Sequence, residues 1–241
     1  MLRAMWLFPG IAAAVALAFA ALLARGFLRS RRSYLAFWAA ALGMYAVASS
    51  VVALGALDGW TTAEFRVYWS VGAVLNVPFL AQGELDLLVR NRVVRSILYV
   101  VLVFVTAYTI ARVRTAGVDD AALAEDLPSG KEVFGDGTPA HRLPQLVAYP
   151  AYFLLVAGAL WSAWRMRGAP ELRDRFVGTI LIALGATVIA AFGSAFAAIG
   201  LLVPFSLALL GGVSVMFWGF LRASRRSSPR ERSPTGAQAV R

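Results

Sequence analysis

The stretch "FVGTILIALGATVIAAFGSAFAAIGLLVPFSLALLGGVSVMFWGFL", residues 176–221, decides the fold class because it runs for 46 residues without a charged side chain. A bilayer core about 30 Å thick is crossed by a helix of about 20 apolar residues, so this stretch is long enough for two crossings. Gly200 and Pro204 interrupt it, and we place the break near residues 199–204. The stretch therefore predicts two transmembrane helices joined by a short turn.

Five further apolar stretches precede this pair, and the composition of the whole chain agrees with them. Of the 241 residues, 60% are hydrophobic and 15% are charged, a balance too apolar for a soluble domain to bury. We predict an all-α, polytopic membrane bundle of seven transmembrane helices. The predicted spans are about residues 5–24, 34–57, 67–88, 96–113, 143–164, 176–198 and 201–221.

The basic residues predict how the bundle is oriented. Of the 23 Lys and Arg residues, 17 lie in segments 25–32, 90–95, 165–175 and 222–241, which a seven-span chain places on one side. Because basic loops stay in the cytoplasm, we expect the N-terminus outside and the C-terminus inside a bacterial plasma membrane, with anionic lipid at the basic inner face. The basic residues form no continuous surface, so we predict no nucleic-acid partner.

The N-terminal stretch also imitates a signal peptide, with Arg3, an apolar run and the small residues "AFA" at positions 18–20. Cleavage there would leave six spans and place the remaining Arg clusters outside the cell. The distribution of basic residues opposes this alternative, so we retain seven spans.

One connection is long: residues 114–142, between the fourth and fifth spans, carry six acidic side chains. The sequence "DDAALAEDL" (119–127) predicts a short helix, and "PSGKEVFGDGTP" (128–139) predicts turns. We expect a solvated outer loop, with a lid that binds a ligand or cation as the alternative. Residues 1–222 then form the membrane domain, and the polar, basic residues 223–241 form a disordered cytoplasmic tail.

The order of spans raises the question of an internal repeat. Pro9 and Pro150 each open a span and precede an "ALG" tripeptide, at residues 41–43 and 183–185, with offsets of 141 and 142 residues. This resembles the three-plus-one-plus-three layout of the transporter/opsin superfamily, in which parallel repeats are related about the membrane normal. The prolines of the third and seventh spans do not align, so the repeat stays an open expectation.

Residue types exclude several activities of seven-span proteins. The single lysine, Lys131, lies in the long loop, so no span offers the amine that holds retinal. The chain has one histidine, His141, and no cysteine, so it lacks the ligands that a zinc-dependent hydrolase needs to hold its metal. Ser194 has no membrane histidine to activate it as in a rhomboid-type protease. We therefore predict no catalytic residue, no metal site and no cofactor.

Small residues recur at every fourth position of the sixth span, at Ala186, Ala190, Ser194 and Ala198. Such spacing lets membrane helices approach closely. We therefore predict that these four residues form a helix-packing face.

The third span carries polar side chains in "FLAQGELDLLVR", residues 79–90. Gln82, Asp86 and Arg90 are four residues apart and share one helix face, on which we expect an exposed Asp86–Arg90 pair where the helix reaches water. Glu84 and Asn76 lie on another face, and Glu84 has no basic residue within helical reach.

Acids inside a membrane usually face the bundle interior and mark a pathway or a pairing. We expect Glu84 to meet a partner from another helix, with Arg175, Tyr99 and Tyr34 as the candidates. The candidate intramembrane polar site is Glu84, Asn76, Gln82 and Arg175. Two roles stay open for Glu84: a static anchor, or a carboxylate that handles a proton or substrate.

The stretch "FRVYWSVGAVLNVPFLAQGELDLL", residues 65–88, resembles uncharacterised seven-span integral membrane proteins of high-GC actinobacteria. The resemblance covers about a tenth of the chain and implies a multi-pass membrane location. It implies no activity.

Three functions are compatible with these observations. A structural or partner-binding membrane subunit comes first, because the spans hold packing residues and no catalytic set. A small-solute or proton-coupled carrier comes second, and a sensor that reads a ligand through the long loop comes third. A lipid-modifying enzyme is the weakest option, because no nucleophile or metal accompanies the acids.

Overall fold

The computed structural model describes residues 6–224, and every regular element within them is helical. Seven helices are long and apolar enough to cross a membrane, which confirms the predicted all-α architecture. They are α1 (Leu7–Ser30), α2 (Ser33–Asp58), α3 (Thr62–Leu88), α4 (Arg92–Thr115), α5 (Pro139–Met166), α6 (Arg173–Ala198) and α7 (Leu202–Ala223). Residues 1–5, and the predicted basic tail from residue 225 onwards, lie outside the described residues.

Polar caps and a glycine turn set the ends of these helices. Thr61 and Glu64 form a reciprocal capping box at the start of α3, and the Asn91 side chain accepts backbone hydrogen bonds at the start of α4. Both satisfy amide groups that a first helical turn leaves unpaired. The predicted break after the sixth span is confirmed: Gly200, with φ 67°, separates α6 from α7 in a conformation that favours glycine.

Six of the long helices form a ring in chain order. Neighbouring helices pack as α1–α2–α3–α5–α6–α7, and α7 closes the ring on α1. Helix α4 lies outside the ring against α3, and only 11% of its apolar window is buried. A ring in chain order has these neighbours with or without an internal repeat, so the repeat stays a prediction.

Helices α6 and α7 approach closely through two facing pairs of glycines, Gly178 with Gly219 and Gly185 with Gly212. A Cβ atom built on Gly178 would lie 2.5 Å from the carbonyl oxygen of Gly219, and one on Gly185 would lie 2.5 Å from that of Gly212. Glycine lets membrane helices reach this separation. The contact between α6 and α7 therefore leaves no room for side chains at these positions.

The connection between α4 and α5 is folded against the bundle, and we call residues 116–138 the cap segment. Its residues Leu123, Leu127, Val133 and Phe134 are buried, so the expectation of a solvated loop is wrong for this part. The helix predicted within residues 119–127 shrinks to the 3₁₀ turn Ala122–Ala124. A helix forms instead at Gly130–Phe134, where turns were predicted, because Ser129 caps it.

Side chains at the start of α3 hold the cap segment in place. The indole Nε1 of Trp60 donates to the carbonyl of Asp126 (3.1 Å), and a guanidinium nitrogen of Arg66 donates to the carbonyl of Ala116 (3.0 Å). The Trp69 ring occupies the space where Gly130 would carry a side chain. The cap segment is thus fixed by hydrogen bonds and by a close aromatic contact.

Candidate ligand cavity

The ring of helices encloses a cavity of about 570 Å³. Its walls come from α2, α3, α5, α6 and α7, and residues 128–132 of the cap segment cover one end. The residues of α6 that were predicted to pack all line this cavity: Ala186, Ala190, Ser194 and Ala198. That prediction was wrong, because the glycines of α6 make the close contact with α7 and leave the small-residue stripe facing the cavity.

Three π-helical turns contribute to the walls of this cavity. They are Tyr68–Leu75 in α3, Pro144–Ala148 in α5 and Ile189–Gly193 in α6. A π-helical turn interrupts the regular α-helical hydrogen bonding and occurs often at functional sites. Three such turns around one space mark the cavity as the candidate functional site.

Asn76 presents a polar group to the cavity without a partner. The residue is 6% exposed, and its Oδ1 is buried and accepts no hydrogen bond from any described residue. It follows the π-helical turn of α3 directly and precedes Pro78 by two residues. A buried acceptor without a partner costs about 1–3 kcal/mol, so the Asn76 amide is a polar group of the cavity wall that no described hydrogen bond satisfies.

Two tyrosine hydroxyl groups in the cavity wall are held by hydrogen bonds between helices. Tyr45 of α2 donates to the carbonyl of Leu209 in α7 (2.9 Å). Tyr152 of α5 donates to Oγ1 of Thr187 in α6 (3.0 Å), which in turn donates to the carbonyl of Ala183 (2.8 Å). These bonds fix the positions of both hydroxyl groups, so the wall is preorganised.

Ionisable side chains line the cavity next to the cap segment. They are Lys131, Glu132 and His141. Lys131 and His141 both approach the Asp136 carboxylate, at 3.5 Å and 3.8 Å, and Nδ1 of His141 is buried without a described partner. The remaining described lining residues are uncharged, so the polarity of the cavity falls with distance from the cap segment.

Glu84 lies outside this cavity, one helical turn beyond Leu80, the last residue of α3 that lines it. It is 6% exposed and accepts a hydrogen bond from the hydroxyl of Ser162 in α5 (3.1 Å). It packs on Gly158, where an added Cβ would lie 2.7 Å from Cγ of Glu84. None of the described ion pairs includes Glu84.

Asp86 is buried, with a side chain 1% exposed, so the predicted exposed pair with Arg90 is wrong. Helix α3 ends at Leu88, which takes Arg90 off the helix. The Asp86 carboxylate accepts from the Tyr99 hydroxyl at 2.9 and 3.1 Å and from Gln82 Nε2 at 3.1 Å, and Nε of Arg95 lies 3.8 Å away. The short turn before α4 folds Arg95 and Tyr99 back onto the end of α3.

The structure does not bring the four candidate site residues together. Asn76 faces the cavity, Gln82 belongs to the Asp86 cluster, and Glu84 contacts Ser162. Arg175 is exposed near the start of α6, and its expected pairing with Glu84 is absent from the described ion pairs. An arginine at the end of a span can place its charge in water, which explains its position.

Sequence reasoning did not find Tyr45 or Tyr152, because their partners are backbone or hydroxyl groups of distant helices and leave no local pattern.

Among residues 6–224, no three His, Cys, Asp or Glu side chains lie together as metal ligands would. Within the described chain, the cavity is therefore defined by shape, aromatic and small residues, and a few hydroxyl and amide groups.

No protein-family model, no curated protein and no solved structure matches this chain.

Proposed function

We propose that this multi-pass membrane protein binds a small organic molecule in its central cavity and acts as a carrier. The observation that carries the proposal is the cavity of about 570 Å³ with the unpartnered amide oxygen of Asn76 in its wall. Sites for small molecules measure about 300–1,000 Å³ and combine apolar walls with a few placed polar groups. A subunit that only packs against partners has no use for such a space.

The closed end of the cavity supports carriage over simple binding. Next to the cap segment the cavity is lined by exposed residues, whereas beyond Leu80 the helices are in close contact. There Trp38 donates to the carbonyl of Leu80 (3.1 Å), and Glu84 packs on Gly158 and Ser162. A carrier that works by alternating access opens its binding site to one side of the membrane at a time. A cavity that is closed beyond Leu80 and accessible next to the cap segment has the arrangement of one such stage.

Glu84 suits the proton-coupled version of this carrier. It lies just beyond the floor of the cavity, and its one described hydrogen bond comes from a hydroxyl group, with no described cation beside it. Intramembrane carboxylates with such surroundings occur in proton relays. The static anchor remains the alternative role, in which Glu84 joins α3 to α5.

The distribution of charge supports an orientation with the cap segment outside. The turns 31–32, 89–91 and 167–172, and the end of α7, lie at the opposite end of the bundle, and the predicted basic segments fall there. Basic loops of bacterial plasma membrane proteins stay in the cytoplasm. The basic face would then contact anionic lipid.

A partner-binding subunit is the second candidate, and helix α4 favours it. Val93, Ile97, Val100, Val103 and Phe104 are each more than 55% exposed along α4. Membrane lipid can cover this face as well as another protein can.

The sensor hypothesis draws on the cap segment, whose Lys131 and Glu132 line the cavity.

Ligand-dependent stabilisation tests the binding step. A ligand that binds the folded state alone at 100 times its Kd stabilises it by about 2.7 kcal/mol, so the unfolding midpoint of the purified protein should rise with at least one of 2-naphthol, leucine and glucose. Asn76→Leu should reduce this increase, because it removes one polar group from the wall of the cavity. Thr106→Val, which removes a hydroxyl of α4 bonded within its own helix, should keep it.

Transport requires a second measurement. The solute that stabilises the protein should exchange across vesicles that contain the chain, in a counterflow assay, and Asn76→Leu should require a higher solute concentration for the same rate of exchange. A solute that stabilises the protein without exchanging would contradict the carrier and favour the sensor. If none of the solutes stabilises the protein, the partner-binding subunit is favoured.

A further inference from the structure

Helices α5 and α6 diverge on the side of the cap segment. The hydrogen bond from Tyr152 to Thr187 (3.0 Å) joins them near the middle of the bundle. Towards the cap segment, the π-helical turn Pro144–Ala148 of α5 packs on α3, whereas the turns Ile189–Gly193 and Ser194–Ala198 of α6 pack on α7. This divergence leaves a gap in the ring between the two helices.

Residues on both sides of this gap line the cavity and are also exposed. They are Gln145 and Tyr149 on α5, and Ser194 and Ala198 on α6. Tyr149 is 47% exposed. It lies about 15 Å along the helix axis from Pro139, the first residue of α5, at 1.5 Å per residue. The cavity therefore opens through the side of the bundle as well as at its end.

The surface around this side opening is apolar. Leu146, Phe153 and Phe192 are 68%, 67% and 55% exposed on the two helices. Large apolar side chains exposed on membrane-spanning helices face the acyl chains of lipid. A molecule that enters through the gap thus comes from the hydrocarbon part of the bilayer.

The interior of the cavity suits a molecule without charge. Its described charged lining residues, Lys131 and Glu132, both lie in the cap segment. Moving an ion through hydrocarbon into an uncharged cavity is very unfavourable. The amide of Asn76 lines the cavity without a described hydrogen-bond partner and can both donate and accept, and the aromatic and small residues of the wall accept apolar surface.

We infer that the ligand of the cavity is an uncharged amphipathic molecule with at least one hydrogen-bonding group, and that it enters sideways from the bilayer between α5 and α6. This inference rests on the proposed function, since it names the class of molecule that the same cavity binds.

Two probes with the same ring system test the ligand class. N-phenyl-1-naphthylamine is uncharged, partitions into lipid and carries one N–H donor, whereas 1-anilinonaphthalene-8-sulfonate adds a negative charge. With the protein in nanodiscs, energy transfer from tryptophan to the uncharged probe should saturate, after subtraction of empty nanodiscs, and the charged probe should not bind in the cavity. Asn76→Leu should raise the Kd about fivefold, as the loss of one hydrogen bond predicts. Thr106→Val should leave the Kd unchanged.

The route of entry is tested at Ser194, because the chain contains no cysteine. Ser194→Cys, modified after folding with benzyl methanethiosulfonate, should lose the fast phase of probe association in stopped-flow measurements, and reduction of the mixed disulfide should restore it. Ala195→Cys is the matched control, because residue 195 is exposed on the same turn but does not line the cavity. Its modification should leave the fast phase intact.

Separate outcomes overturn the inference and the proposed function. Stabilisation by glucose or leucine without saturable binding of N-phenyl-1-naphthylamine would overturn the ligand class and keep the binding function. Equal rates for modified Ser194→Cys and Ala195→Cys would overturn sideways entry. Binding of neither the probes nor the solutes would overturn both.

Discussion

At the scale of single residues, Glu84 and Asp86 differ in their partners although two positions separate them. Asp86 is surrounded by the Tyr99 hydroxyl, the Gln82 amide and the Arg95 guanidinium. Glu84 accepts one described hydrogen bond, from Ser162. Asp86 therefore ties the end of α3 to the start of α4, whereas Glu84 contacts α5 and belongs to none of the described ion pairs.

Replacing Asp86 tests its structural role. In Asp86→Ala, the Tyr99 hydroxyl and the Gln82 amide lose their acceptor, and we expect the free energy of unfolding to fall by about 1–3 kcal/mol. Arg90→Ala should change it by less than about 0.5 kcal/mol, because Arg90 is exposed and lies beyond the helix end. The measurement is the unfolding midpoint of each purified variant in mixed micelles.

Tyr99→Phe gives an intermediate case for this prediction. It removes a single donor and leaves Gln82 and Arg95 beside the Asp86 carboxylate. The free energy of unfolding should therefore fall by less than in Asp86→Ala. Equal stability of Asp86→Ala and Arg90→Ala would show that the cluster around Asp86 does not support the fold.

At the scale of elements, the cap segment makes one especially close contact with α3, in addition to its hydrogen bonds. Gly130 lies against the ring of Trp69, whose Nε1 also donates to the carbonyl of Ala140 (2.9 Å). Trp69 itself lies in the π-helical turn of α3. The position of the cap segment is thus coupled to the wall of the cavity through a single tryptophan.

Gly130→Ala should loosen the cap segment. The added methyl group overlaps the Trp69 ring, so the ring or the segment must move, and trypsin should cleave after Lys131 faster than in the unsubstituted protein. Gly117→Ala is the matched control in the same segment, because nothing lies within 4 Å of its added Cβ. Mass spectrometry of timed digests measures the cleavage.

Similar cleavage rates in the two glycine variants would contradict this role of Gly130. Ligand association should also be compared in the two variants. If it is slower in Gly130→Ala while its fast phase is unchanged in Gly117→Ala, the cap segment also affects ligand entry into the cavity.

At the scale of the whole molecule, six helices form the ring, five of them line the cavity, and α4 stands apart. The reciprocal glycines of α6 and α7 hold one part of the ring tightly closed, while α5 and α6 diverge next to the cap segment. Close contact on one side and separation on the other produce a cavity with a defined opening. This asymmetry underlies both the carrier proposal and the inferred route of the ligand.

The orientation of the bundle can be measured with two single-cysteine variants. Glu125→Cys lies on the exposed surface of the cap segment, and Ser224→Cys follows α7 at the opposite end. In intact bacterial cells, a membrane-impermeant maleimide should label residue 125 and should label residue 224 only after permeabilisation. The opposite pattern would reverse the orientation, and labelling of both would contradict seven crossings.

The sequence alone determined the number of long helices, because each uncharged stretch must bury its backbone in lipid as a helix. It also located the turn at Gly200 and singled out the polar part of α3. These features depend on composition and on local backbone chemistry, which can be read residue by residue. The distribution of basic residues allowed a prediction of orientation on the same local grounds.

Only the tertiary structure decided which of these residues meet. Whether Ala186 and Ser194 pack or line a cavity depends on where Gly185 meets Gly212 of the neighbouring helix α7 and draws the two helices together. Asp86 is buried because α4 turns back onto α3, an effect of the helix end at Leu88 that spacing along a continuous helix cannot show. The cavity likewise arises from the separation of whole helices, and no single stretch of sequence encodes that distance.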